Sequence, residues 1–104
     1  MNVKPYRTEK DALGEVEIAR DKLWGAHTQR AVENFRISSC GISPMLIIAL
    51  AQVKKACCQA NLEGGYIVEE KAKAILAACD EIISGMHHDQ FPIDALQGGA
   101  GTST

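Results

Sequence analysis

Polar and apolar positions alternate in period two near the start of the chain and recur at spacings of three and four beyond it. Over residues 5–18, Arg7, Glu9 and Asp11 alternate with smaller or neutral neighbours, Leu13-Gly14 offers a turn, and Val16 and Ile18 alternate with Glu15 and Glu17. This pattern predicts a β-hairpin whose charges form a solvated face. Two short strands are marginal alone, so the hairpin must lean on another element. Asp21 is placed to cap a helix over residues 22–35, with Leu23, Trp24, Ala31 and Phe35 on one side and Thr28 between them. Gly25 weakens the start of that helix and suggests a close backbone approach there. Residues 36–43 form a connector. Ser43-Pro44 then reads as N-cap and first helical residue of a helix over 44–62, which stops before Gly64-Gly65. Its first half, Met45 to Ala51, is apolar nearly all round, the mark of a helix covered on all sides. A third helix is predicted over 68–84. Val68, Ala72, Ile75, Leu76, Cys79, Ile82 and Ile83 share a face that Met86 continues, Glu69 and Glu70 suit the N-terminal dipole, and Gly85 ends the helix.

Composition narrows this to a small helical unit. The chain has 104 residues, 46% of them hydrophobic and only 5% aromatic, so a core must come from aliphatic side chains on closely packed helices. A net charge of −2 without a clustered basic surface argues against a nucleic-acid partner. The longest apolar run falls far short of the ~20 residues of a membrane span, and the N-terminus has no apolar signal core. A cytoplasmic protein is the simplest expectation. None of the four cysteines, Cys40, Cys57, Cys58 and Cys79, forms a Cys-x-x-Cys pair. Cys57, Cys58 and Cys79 fall in helical apolar patterns and are expected to be reduced and buried, with Cys40 exposed in the connector.

The candidate chemistry lies at the end of the chain, in Gln97-Gly98-Gly99-Ala100-Gly101-Thr102-Ser103-Thr104. Small residues let a ligand approach the backbone, and three consecutive hydroxyls can donate to a carboxylate. No Gly-Lys-Ser/Thr follows to make a phosphate loop, and the Gly-x-Gly-x-x-Gly dinucleotide spacing is absent. Arg30, near His27 and Trp24, is a candidate carboxylate ligand or a structural support. His87-His88-Asp89 makes a poor metal set, because adjacent residues of an extended segment point to opposite sides. No metal is expected.

Two blocks also carry a resemblance. The segment 97–104, preceded by Gln90-Phe91-Pro92-Ile93-Asp94, resembles the first signature region of the aspartase/fumarase superfamily. Its Gly-Gly-Ala-Gly-Thr-Ser form is similar to that of the superfamily's aspartate ammonia-lyases, whereas fumarases tend to carry Thr-Gly-Ser-Gly-Thr. The second block is Arg7-Thr8-Glu9-Lys10-Asp11, Leu13-Gly14 and Trp24-Gly25-Ala26-His27-Thr28-Gln29-Arg30.

The resemblance implies a mostly α fold, the superfamily's N-terminal domain, with about three helices and a small N-terminal β-hairpin. Residues 1–104 would be that domain alone, without the central helical bundle or the C-terminal domain. It implies a lyase that reversibly removes ammonia from L-aspartate to give fumarate, with no cofactor, acting as a cytoplasmic homotetramer whose sites combine several subunits. Thr102 is the first candidate for substrate binding, then Ser103 and Thr104, with Gly101 offering backbone. The catalytic serine loop is expected beyond Thr104, so no catalytic residue lies in this segment and the segment alone would be inactive. Fumarate hydratase of the same superfamily is one alternative. A non-catalytic interaction module binding through the helix from Pro44 is the other.

Overall fold

A computed structural model describes residues 4–98 and 101–104. Gly99 and Ala100 of the glycine loop, and residues 1–3, lie outside the described residues. In order, the described elements are strands β1 (Tyr6–Asp11) and β2 (Gly14–Ala19), helices α1 (Ala26–Asn34), α2 (Pro44–Glu63) and α3 (Glu69–Ile83), and a 3-10 turn (His88–Gln90). This is the helical domain with an N-terminal hairpin that the sequence predicts. The chain divides into two compact units, Met1–Ile42 with Asp89–Thr104, and Ser43–His88.

In the first unit, β1 and β2 pair antiparallel from Tyr6↔Ala19 to Asp11↔Gly14. A two-residue turn, Ala12-Leu13, joins them. Asp11 Oδ1 accepts from the Leu13 N–H at 2.9 Å, and Gly14 takes φ +114°, a backbone region that side chains disfavour. The charges of β1 do not form one solvated face. Tyr6, Thr8 and Lys10 are exposed, whereas Arg7, Glu9 and Asp11 are half-buried on the opposite side. Arg7 donates to the carbonyls of Ala19 (3.1 Å), Lys22 (2.7 Å) and Trp24 (2.6 Å), and to Glu9 (2.8 Å).

That clamp explains why α1 starts at Ala26 rather than near residue 22. The carbonyls of Lys22 and Trp24 point to a guanidinium, and the Leu23 N–H donates to Gln90 Oε1 at 2.8 Å. These groups are therefore unavailable for a helix. Gly25, extended and without a side-chain cap, precedes the helix in place of Asp21. A Cβ built at Gly25 meets nothing within 4 Å, so the expected close approach is absent among the described residues. Leu23 is correspondingly exposed. The core of this unit is small: Ile18 and Ile93 are fully buried and Ala31 nearly so.

The second unit is a helical hairpin. Ser43 Oγ accepts from the Met45 N–H at 3.2 Å with Pro44 at the first helical position, as the sequence indicates. Ile47, Ala51 and Cys58 of α2 are buried, as are Ala72 and Cys79 of α3. These positions sit one or two turns apart on one face of each helix. Lys55 pairs with Asp80 at 2.6 Å, and Cys58 Sγ lies 3.6 Å from the Ala72 carbonyl. Burial and the neighbouring Cys58 push the Cys79 thiol up from its ordinary value. Cys57 is exposed, contrary to expectation, because one helical step rotates it about 100° from Cys58. Cys40 is exposed as expected. The apolar first half of α2 is not covered on all sides within the described residues, since Met45 is 81% exposed and Leu46 46%. Among these residues no helix is long and apolar enough to cross a membrane.

Candidate functional site

Three pieces of the first unit converge: the hairpin turn, α1, and residues 101–104. His27, Arg30, Ala31 and Asn34 lie at i, i+3, i+4 and i+7 of α1 and so share one face. With Asp11, Leu13, Glu33 and Ser103 they line an open cleft of about 580 Å³.

Arg30 anchors one wall. Its Nε and Nη2 donate to the two oxygens of Asp11, both at 2.9 Å, and Nη2 also reaches the Gly14 carbonyl at 3.1 Å. This is a fork-to-fork pair. Nε and Nη2 are thus turned to the hairpin, and through them Arg30 is a support that ties α1 to β1 and β2. The Arg30 hydrogen bond holds the Asp11 carboxyl below its ordinary value of 3.8. In return, the carboxylate raises the guanidinium's pKa.

The opposite wall is the hydroxyl segment. Gly101 has φ +82°, which favours glycine, and its carbonyl accepts from the Thr104 N–H at 3.2 Å. Residues 101–104 therefore form one turn. Ser103 Oγ lies 3.0 Å from His27 Nε2, and the Ser103 carbonyl accepts from Thr28 Oγ1 at 3.3 Å. Thr104 Oγ1 accepts from Gln97 Nε2 at 2.7 Å. Thr102 is exposed. Of the four residues expected to bind substrate, Ser103 reaches the cleft, Thr104 ties the turn to Gln97, Gly101 bends the chain, and Thr102 faces outward.

Asp94, which ends the Gln90–Asp94 part of the signature block but has no role assigned from the sequence, organises the approach to this segment. It is buried and accepts from the N–H groups of Ile37 (3.2 Å), Ser38 (2.6 Å) and Leu96 (2.8 Å), and from Ser38 Oγ (2.9 Å). The Leu96 and Ser38 N–H groups hold its carboxyl below the ordinary 3.8. A carboxyl lowered on folding stabilises the fold above its unfolded pKa and ceases to as the pH falls through its folded one. Both Asp11 and Asp94 act in this sense. The melting temperature is expected to hold steady down to pH 3.8 and to fall below it, and Asp94→Asn should flatten that acid limb. Thermal melts of both proteins across the acid range check this. A wild-type melting temperature that is unchanged below that pH would contradict it.

His87 Nε2 lies 3.2 Å from Glu81 Oε2, and His88 Nε2 lies 2.9 Å from the Ile82 carbonyl. Among the described residues no group of three or more His, Cys, Asp or Glu side chains is arranged to hold a metal.

The sequence profile of a lyase family matches residues 14–104. The chain belongs to this family, that of the aspartase/fumarase superfamily. It is 52% identical over 99 residues to a fumarate hydratase class II of Halobacterium salinarum, a match covering 95% of this chain and 21% of that protein. It is 49% identical over 104 residues to an aspartate ammonia-lyase of Pseudomonas aeruginosa, covering 98% and 22%. The fold is similar to a fumarate lyase:delta crystallin from Brucella melitensis, solved bound to cobalt, with TM-score 0.91, 49% identity, and 94% and 22% of the two chains covered. It is also similar to a class II fumarase of Schistosoma mansoni, with TM-score 0.90, 30% identity, and 94% and 21% covered. This lyase-family chain thus spans about a fifth of the length of the curated relatives it matches.

Proposed function

We propose that the chain is the N-terminal domain of a longer lyase that forms fumarate from a four-carbon dicarboxylate, and that residues 101–104 bind one carboxylate of that substrate. The observation that supports this reading is the turn at Gly101, which sets Ser103 against His27 of α1 and leaves Thr102 beside it exposed. In such an elimination a base outside this segment takes the proton from the carbon next to a carboxylate. The electron pair moves into that carboxylate, which becomes doubly negative, then returns to form the double bond as the leaving group departs. Donors fixed around those oxygens stabilise the charge as it builds. Thr102, exposed in the turn, is the first donor. Ser103, Thr104 and the Gly101 backbone assist it.

The apolar side chains left to water on α2, Met45 and Val53 among them, support a domain that is covered by further chain. The complete enzyme is read as a homo-oligomer without a cofactor, whose remaining catalytic groups lie on other segments.

Fumarate hydration is the favoured activity, because several of the curated relatives are fumarate hydratases. One observation favours ammonia elimination: Gly98-Gly99-Ala100-Gly101-Thr102-Ser103 resembles the ammonia-lyase form of the signature. Fumarate release from L-malate and from L-aspartate by the full-length protein separates the two. Turnover of malate supports the hydratase, turnover of aspartate alone supports the ammonia-lyase, and turnover of neither overturns the proposal.

A further inference from the structure

We infer that His27 and Thr28 are positioning residues that present the Ser103 hydroxyl to the substrate carboxylate. This rests on the carboxylate reading of residues 101–104. Two consecutive residues of α1 hold the same residue of the turn by different atoms: His27 Nε2 meets Ser103 Oγ at 3.0 Å, and Thr28 Oγ1 donates to the Ser103 carbonyl at 3.3 Å. The two contacts fix both the backbone and the side chain of Ser103. The helix that makes them is itself held in place. Arg30 ties it to Asp11 and Gly14, and Gln29 Oε1 accepts from Trp24 Nε1 at 2.8 Å. Gln97 fixes the far end of the turn through Thr104.

The direction of the histidine bond decides what Ser103 can do. A serine hydroxyl has one hydrogen to donate and can also accept. When His27 Nε2–H donates to Ser103 Oγ, the serine hydrogen remains free for an anion. An anion beyond Ser103 favours this direction, because each bond in the row His27, Ser103, carboxylate polarises the next. When Nε2 instead accepts, the serine hydrogen is occupied and Ser103 offers the carboxylate only lone pairs. His27 therefore sets the polarity of Ser103 without touching the substrate, while Thr28 sets its place.

The test uses the full-length protein and its dicarboxylate substrate. His27→Ala is expected to raise KM about threefold to tenfold, the worth of one hydrogen bond, with a smaller change in kcat. His27→Gln, which keeps a side-chain N–H donor, should restore most of the loss. Thr28→Val should raise KM while Thr28→Ser should not. In a cycle with Ser103→Ala, the double variant with His27→Ala should be no worse than Ser103→Ala alone, the non-additivity of one shared interaction. Additive effects, or a His27→Gln protein as impaired as His27→Ala, would overturn the assignment. Thr102→Val in the same assay separates the two ways to fail. An impaired Thr102→Val beside a normal His27→Ala sinks this inference alone. Normal kinetics in both sinks the carboxylate reading and this inference with it.

Discussion

Thr102→Val in the full-length protein is expected to lower kcat by about 10²–10³-fold, the usual cost of removing one donor aimed at a developing oxyanion. Valine keeps the branched shape and removes only the hydroxyl. Thr102 is exposed in the turn, so the substitution leaves no buried polar group unpaired and the melting temperature should stay near that of the wild type. That combination separates a substrate donor from a packing residue. Its neighbours bond within the protein, Ser103 to His27 and Thr104 to Gln97, so their removal alters the turn as well as the donor set. Steady-state kinetics beside a thermal melt measures both quantities. A Thr102→Val protein with wild-type kcat would remove Thr102 from the account.

Ile93→Ala should cost about 2–5 kcal/mol, as truncation of a buried isoleucine generally does. Ile93 is fully buried and is one of only two large side chains so enclosed among the described residues, the other being Ile18. It also precedes Asp94, whose three hydrogen bonds from Ile37 and Ser38 join those residues to the segment leading to the hydroxyl turn. A cavity there loosens the base of the site. For a chain of this size each kcal/mol moves the melting temperature by about 4–8 °C, so the shift is large. Leu96, three residues on, is 60% exposed, and Leu96→Ala should leave the melting temperature almost unchanged. Ile93→Val, at about 0.5–1.5 kcal/mol, keeps the comparison readable if the alanine protein does not fold. Equal effects at Ile93 and Leu96 would contradict the burial pattern.

The elements were legible where local rules decide them. Ser43-Pro44 announces α2, and Glu69-Glu70 with Gly85 brackets α3, because caps and helix ends depend on neighbours in sequence. The hairpin followed from alternation. What escaped depends on partners far along the chain. Asp21 reads as a helix cap, yet Arg7 and Gln90 take the backbone groups of residues 22–24 and delay α1 to Ala26. Asp94 gives one local hint, its acceptance from the N–H two residues on, but its bonds to Ile37 and Ser38 cross more than fifty positions. Arg30 was open between ligand and support, and only the placement of Asp11 opposite its fork makes it a support. Cys57 and Cys58 look alike in a pattern that marks apolar character without phase, and the helix turns one in and the other out. Of the candidate site, the hydroxyl run was visible as composition. Its attachment to His27 and Thr28 was not, since 75 and 76 residues separate those partners.

The most direct test of the central claim is a crystal structure of the full-length protein with its dicarboxylate bound, and in it the distances from the carboxylate oxygens to residues 101–104. A carboxylate oxygen is expected at hydrogen-bonding distance, about 2.5–3.2 Å, from Thr102 Oγ1, with Ser103 Oγ or the Gly101 N–H completing the contact. A bound dicarboxylate whose oxygens touch none of residues 101–104 would contradict it.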